Sequence, residues 1–479
     1  MSLKRKTFDG FIWNFLDTFL LNGFSFLALI LIARWIGPEE FGLIGMIAIF
    51  IAIGNSLIDG GLSSSLIRTK NVDNVDFSTI FFINILISVF LYILIYFLAP
   101  FIAIFFNQLV LVQIIRVYCL VFIISGFSSV QLAIFNKEMK FKLIMLINIP
   151  SKIIGICIGI YMGYNGYGIW SIVCMFISTQ ILSTILLWLT SKWKPSLCFS
   201  KNKLKKHYRF GYKLLLSSLL DRIFHNMYNV IIGKFFSIAT LGLFERAKKF
   251  TEYPSSTLTS VISKVTYPML VILRDDSEKI AIIYRKLLRL TFFITAPLLL
   301  GLAAIAEPMF KLVLGESWVG AIPFFQILCL SAMFYPIHSF NLNILKVYGR
   351  SDWFLKLELI KKVITVLGLF VGFQFGIFGI VWSSVFISLI ALFINSTYSS
   401  RLINYNSQQQ LLDIIPILLI SIITFILIYT IVFYMKNNNN ISQVLISLFV
   451  GFLFYLGINY SFRKNPIHDL IKLIKNRKL

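Results

Sequence analysis

Fourteen runs of about 20 or more apolar residues follow one another along this chain. They lie near 11–35, 42–66, 79–106, 109–132, 143–163, 167–190, 209–233, 240–263, 282–305, 320–344, 354–374, 377–399, 411–434 and 441–462. At 1.5 Å per residue, a helix of about 20 residues crosses a hydrocarbon core of about 30 Å. Backbone facing lipid must satisfy its own hydrogen bonds, which a helix does within each span. Barrel strands would be about half as long and would alternate in polarity. The composition agrees, being 58% hydrophobic and only 13% charged, against about 45–50% and about 25% in a soluble domain. The expectation is an all-α integral membrane protein with 14 transmembrane helices.

The charges test that count. With the N-terminus on the cytoplasmic side, alternate connecting segments hold 30 of the 44 Lys+Arg. The opposite segments hold Arg34, Lys234, Lys311 and Lys436. Cytoplasmic loops carry such an excess, and an even number of spans with both termini inside preserves the alternation. The net charge of +24 is then read as loops facing anionic lipid and cytoplasm, not as a nucleic-acid surface. The apolar segment after Lys4, Arg5 and Lys6 runs on without a small-residue cleavage site, so it reads as a first span and not a cleaved signal. The five cysteines are scattered and give no disulfide framework.

The chain also repeats itself. Arg34–Leu43 parallels Lys234–Leu243, Cys119-Leu120 parallels Cys329-Leu330, Ser151-Lys152 parallels Lys361-Lys362, and Gly168-Ile169 parallels Gly379-Ile380. The order and near-constant offset predict two parallel six-helix repeats at 1–190 and 208–400. A Lys-rich cytoplasmic linker (191–207), helices 13 and 14 (401–462) and a basic cytoplasmic tail (463–479) complete the organisation. Parallel repeats place a substrate site near the midplane between them, with rocking as the route to alternating access.

Polar side chains inside the apolar runs mark where such a site lies, because a charge at the bilayer centre costs about 2.5–3.5 kcal/mol. The seventh run carries Ser217, Asp221, His225 and Asn229 at steps of four, beside Ser218, Arg222 and Asn226. Asp17 and Asp59 sit in the first two runs, and Glu245, Arg246, Lys248, Lys249 and Glu252 in the eighth. Lys152, Lys362, Arg222, Arg116, Arg246 and Lys249 are read as lining a hydrated cationic cavity for an anionic group. The other reading is snorkelling or internal pairing, which fits Lys361 and Arg285 at least as well. Asp17, Asp59, Asp221, His225 and Glu245 are candidates for ion coupling. Asp221 beside Arg222 is either an internal pair or, with His225 one turn away, a proton site.

No G-x-x-x-x-G-K-[ST] loop is present, the four histidines are too scattered for zinc, and no Ser/His/Asp or paired-carboxylate catalytic arrangement stands out. The non-cytoplasmic loops are short. These features point to a carrier without a cofactor, not an enzyme, and disfavour a polysaccharide polymerase or ligase. A multidrug exporter would need an acidic cavity, against the excess of Lys and Arg within the spans.

Several short motifs carry a resemblance: Gly37-Pro-Glu-Glu-Phe-Gly42, Asp59-Gly-Gly-Leu-Ser-Ser-Ser-Leu-Ile-Arg68, Asn229-Val-Ile-Ile-Gly-Lys234, Arg246-Ala247 through Pro254, and Thr266-Tyr-Pro-Met-Leu270. The chain resembles the Wzx-type flippases for lipid-linked oligosaccharides, polysaccharide exporters of the multidrug/oligosaccharidyl-lipid/polysaccharide superfamily. The resemblance implies a MATE-like fold and a multi-pass protein of the bacterial cytoplasmic membrane. It implies translocation of undecaprenyl-diphosphate-linked sugar units for O-antigen, capsule or exopolysaccharide. Polymerase and chain-length proteins are the implied partners. Moving two negative charges outward across about 100 mV releases roughly 4–5 kcal/mol, so the membrane potential, a proton or a sodium ion is the expected driving force.

Overall fold

The computed structural model describes residues 3–461. The basic tail expected at 463–479 lies outside the described residues. No strand occurs among them, and the chain divides into two compact units, Met1–Gly242 and Leu243–Leu479. Eleven segments are long and apolar enough to cross a membrane, the first being Leu16–Ala33 and the last Asn440–Ser461. The expected spans at 209–233, 240–263 and 354–374 are also helical, but their charged residues keep them out of that set.

The first unit contains α1 (Leu3–Ala33), α2 (Pro38–Asp59), α3 (Leu62–Arg68), α4 (Asn74–Phe106), α5 (Leu111–Tyr118), α6 (Leu120–Lys137), α7 (Phe141–Tyr164), α8 (Trp170–Thr190) and α9 (Lys201–Phe235). Helix α7 packs along both α1 and α8, α4 along α6, and α2 along α9. The motif Gly37-Pro-Glu-Glu is a helix start: Pro38 occupies the first turn, and Glu39 and Glu40 complement the positive end of the α2 dipole. Gly60 and Gly61, both at positive φ, end α2 and open α3. A sidechain on Gly61 would fall 2.6 Å from the Gly211 carbonyl oxygen, so α9 passes this bend backbone to backbone.

The aligned motifs at the other end of α2 make a reciprocal contact. A Cβ on Gly42 would lie 2.1 Å from the Ile238 carbonyl oxygen, and one on Gly242 would lie 1.8 Å from that of Pro38. Residues 38 and 42 thus meet 238 and 242, their counterparts in the internal alignment. Gly42→Ala and Gly242→Ala are each expected to lower thermal stability by about 1–3 kcal/mol through overpacking, and the double variant non-additively. Gly457, with open space around it, is the control whose alanine variant is expected to be neutral or stabilising. Unfolding of the detergent-solubilised protein checks all four.

The second unit continues α10 (Ile238–Ile272), which begins in the first, and adds α11 (Ser277–Ala304), α12 (Ala306–Val313), α13 (Ile322–Ala332), α14 (Tyr335–Val347), α15 (Ser351–Phe373), α16 (Gly376–Ser400), α17 (Ser407–Tyr434) and α18 (Asn440–Ser461). Helix α11 packs on α17, α15 on α16, and α17 on α18. Its apolar interior includes the buried Trp318, Phe292 and Phe340. Buried Asn341 accepts from Tyr284 Oη at 2.8 Å and from Ser399 Oγ. Arg285 donates to Asp413 with both Nε (2.6 Å) and Nη2 (2.8 Å), a fork-on-carboxylate pair.

The linker differs from expectation. Helix α9 already begins at Lys201, capped by Ser200, so residues 201–207 belong to a helix. Residues 191–200 are stitched across the start of α4. Trp193 Nε1 donates to Asn74 Oδ1 at 2.6 Å, Ser196 N to Ser78 Oγ at 3.0 Å, and Ser200 N to Thr79 Oγ1 at 3.1 Å. Helix α9 belongs to the first compact unit, which ends at Gly242 and not at the linker.

Candidate functional site

In the first unit, α7 brings two of the expected groups onto one surface. Lys152 is only 9% exposed, and its ammonium lies over the Phe176 ring of α8 at 5.2 Å. One turn earlier, Asn148 Nδ2 donates to Asp17 Oδ2 of α1 at 3.3 Å, while Asp17 Oδ1 is buried without a hydrogen-bond partner. No carboxylate lies within ion-pair reach of Lys152 among the described residues. A desolvated ammonium without a counter-ion is costly to keep. Asn148 and Phe176 escaped sequence reading because one amide and one phenylalanine in apolar runs carry no signal of their own.

The other candidates are dispersed. Arg116 belongs to the α4–α5 contact, its guanidinium 4.1 Å over the Tyr96 ring and its Nε donating to the Tyr96 carbonyl at 3.4 Å. That engagement explains the residue without a ligand. Asp59 is exposed at the end of α2 beside the Gly60-Gly61 bend. Asp221, Arg222 and His225 are exposed along α9, while Asn226 and Asn229 of the same polar stripe are buried. In the second unit Arg246 is buried with its guanidinium 5.6 Å over Trp318. Lys249 pairs with Glu252 at 3.3 Å, and Glu245 is half-buried.

Lys361 is paired with Glu358, one of the two readings given for it. Phe354, Glu358 and Lys361 recur at helical spacing on one face of α15, and all three line a cavity of about 370 Å³ against α14 and α16. Lys362, about 100° further around the helix, is half-buried and outside that lining. At its floor His338 Nε2 lies 3.0 Å from Ser388 Oγ, and Asn395 Nδ2 lies 3.4 Å from His338 Nδ1.

A buried Ser/His/Asp cluster lies in the first unit. His207 is fully buried, with Nδ1 2.8 Å from Ser65 Oγ and Nε2 3.1 Å from Asp76 Oδ1. Ser65 and Asp76 are each only 4% exposed. Asp76 also holds Lys203 Nζ at 3.1 Å through its other oxygen, and Lys203 pairs with Asp73. These contacts tie the start of α9 to α3 and α4. Outside the membrane, the Lys203 ammonium and the Asp76 backbone N–H hold the Asp73 carboxyl below its ordinary pKa.

Residues 31–323 match the family model described as "Polysaccharide biosynthesis protein". The chain belongs to this family. Among relatives, it is 28% identical to an uncharacterized membrane protein in the cps region of Klebsiella pneumoniae, over 69% of each chain. It is 23% identical to the lipopolysaccharide biosynthesis protein WzxC of Escherichia coli K12, over 81% of this chain and 80% of that one. Among solved structures, the lipid II flippase MurJ in an inward closed conformation superposes with a TM-score of 0.77. It shares 17% identity, covering 96% of this chain and 100% of the other. The polysaccharide biosynthesis family and the eleven membrane-length helices together make this a multi-pass membrane protein with the fold of that flippase.

Proposed function

We propose that this chain is a flippase that carries undecaprenyl-diphosphate-linked oligosaccharides across the bacterial cytoplasmic membrane, from the inner to the outer leaflet. Its product would feed O-antigen, capsule or exopolysaccharide assembly, with polymerase and chain-length proteins as partners. The observation that carries the reading is membership of the polysaccharide biosynthesis family in a chain folded like MurJ. Buried Lys152 supports an anionic head group as the cargo. The Asp17–Asn148 pair one helical turn away is the proposed place where a proton or sodium ion couples to it.

The same reading adds α9, α10 and α15 to the eleven apolar segments, for fourteen spans with both termini cytoplasmic. It divides them into two six-helix repeats followed by α17 and α18. The reciprocal contacts of Gly42 with Ile238 and of Gly242 with Pro38 support the repeat, because a pseudo-twofold pairs each position with its counterpart. Alternating access by rocking of the repeats follows from that arrangement. No catalytic chemistry is assigned to the chain.

Purified protein in proteoliposomes, supplied with a fluorescent lipid-linked oligosaccharide on one leaflet, tests the proposal. Transfer to the other leaflet is expected to require the protein. Collapsing an inside-negative potential of about 100 mV is expected to slow it steeply, since two outward-moving negative charges lose roughly 4–5 kcal/mol of driving force. Equal rates with and without the potential would remove the electrical drive. Equal rates with and without protein would remove the flippase.

A further inference from the structure

The cavity between α14, α15 and α16 has a chemistry different from that around Lys152. Its volume of about 370 Å³ falls in the range of small-molecule sites, about 300–1,000 Å³. A second cavity, in the first unit, is lined by Ile123, Phe127, Ile181, Ile185 and Leu189 and suits an acyl chain. The α14–α16 cavity instead combines amides, a histidine, a carboxylate and ammonium groups with two aromatic rings.

Three observations point to its occupant. Asn395 is 1% exposed, lines the cavity, and has a buried Oδ1 that accepts no hydrogen bond. An orphaned acceptor on such a wall asks for a donor such as a hydroxyl. Tyr335, exposed, and Phe354 offer aromatic rings in the same lining, and the negative faces of aromatic rings attract the polarised C–H faces of a sugar. Lys361 is already paired with Glu358. Lys346 has only the Phe354 ring, 5.0 Å from its ammonium, and no carboxylate within ion-pair reach among the described residues. The cavity therefore carries one unneutralised positive charge. Two ammonium groups against one carboxylate also rule it out as a metal-cation site.

We propose that this cavity is a glycan subsite that grips an acidic sugar ring, a uronate, with Lys346 on its carboxylate and Asn395 accepting from a ring hydroxyl. The inference rests on the flippase reading for its biological meaning: the subsite would select the oligosaccharide while Lys152 meets the diphosphate.

The test uses soluble probes on the full-length protein in detergent, so that it does not depend on flipping. Methyl glucuronide, methyl glucoside and inorganic pyrophosphate are titrated by calorimetry against the wild type, Lys346→Ala, Lys346→Arg and Asn395→Ala. Methyl glucuronide is expected to bind at least tenfold more tightly than methyl glucoside. That preference is expected to vanish in Lys346→Ala and return in Lys346→Arg. Asn395→Ala is expected to weaken both glycosides alike, and the partly solvent-facing Lys346 variants keep the test valid if Asn395→Ala fails to fold. Equal binding of the two glycosides, or no binding of either, overturns the proposal. Pyrophosphate binding that depends on Lys346 while glucuronide binding does not also overturns it, assigning the charge to the diphosphate. Glucuronide binding without flipping in proteoliposomes would sink the flippase and leave the subsite standing.

Discussion

Lys152→Met is expected to lower translocation of a lipid-linked oligosaccharide by roughly 10- to 100-fold, because a charge-assisted hydrogen bond to an anion contributes about 1.5–3 kcal/mol. Thermal stability is expected to hold or rise. Methionine fills similar volume and stacks on Phe176, and it removes a desolvated cation that has no carboxylate beside it among the described residues. That opposition separates a binding role from a structural one. Lys152→Arg is expected to retain much of the activity, since a diphosphate accepts a guanidinium as readily. Full transport by Lys152→Met, measured at equal reconstitution, would take the residue out of the cargo path.

Asp76→Ala is expected to release the strap of residues 191–200 and the start of α9. It takes from the buried His207 the carboxylate that faces its Nε2 and leaves Lys203 with Asp73 alone, and an orphaned buried polar group costs about 1–3 kcal/mol. The open population of this segment is expected to rise by roughly 5- to 150-fold on that scale, seen as faster tryptic cleavage after Lys192. Trp193 reports the same event, since it leaves its hydrogen bond to Asn74 and its edge contacts with Phe77 and Phe81. Ser65→Ala is expected to cost only about 1 kcal/mol, the net worth of one neutral hydrogen bond. Acid should loosen the same region. Asp73 has its pKa depressed in the folded state, so its contribution is complete above the ordinary carboxylate pKa and is lost as pH falls through the lowered value. Trp193 emission followed from pH 7 into strong acid measures that, with no change expected until below the usual carboxylate range. Unaltered cleavage in Asp76→Ala would show that the strap is held by its own hydrogen bonds to α4 alone.

Hydropathy revealed the helices because each span must bury its own backbone in lipid, and that demand is written locally. It identified the runs that became α4, α7, α8, α17 and α18 with little adjustment. The breaks within spans were less legible. The α2–α3 bend depends on Gly60 and Gly61 adopting positive φ where Gly211 passes, and the partner lies 150 residues away in sequence. The same distance hid the Ser65–His207–Asp76 anchor: three ordinary polar residues from α3, α9 and α4 become a cluster only when the helices meet. A Lys-rich stretch with a proline read as a linker because composition does not show that Ser200 caps a helix or that Ser78 and Thr79 await its backbone. For the candidate site, Lys152 was legible as a costly charge in a span. Lys361 and Lys362 could not be ranked by depth, since adjacent residues on a helix differ by direction and not by height.

The meeting of Gly42 with Ile238, and of Gly242 with Pro38, has a consequence for how such chains can diverge. Each glycine abuts a carbonyl oxygen, which is present whatever amino acid supplies it. A bulkier residue at either position therefore has no compensating replacement across the contact; only displacement of a whole helix end would make room. In a saturation library selected for function, both glycines should survive as fixed points two hundred residues apart. Arg34 and Lys234, a few residues upstream in the same aligned motifs, should drift independently.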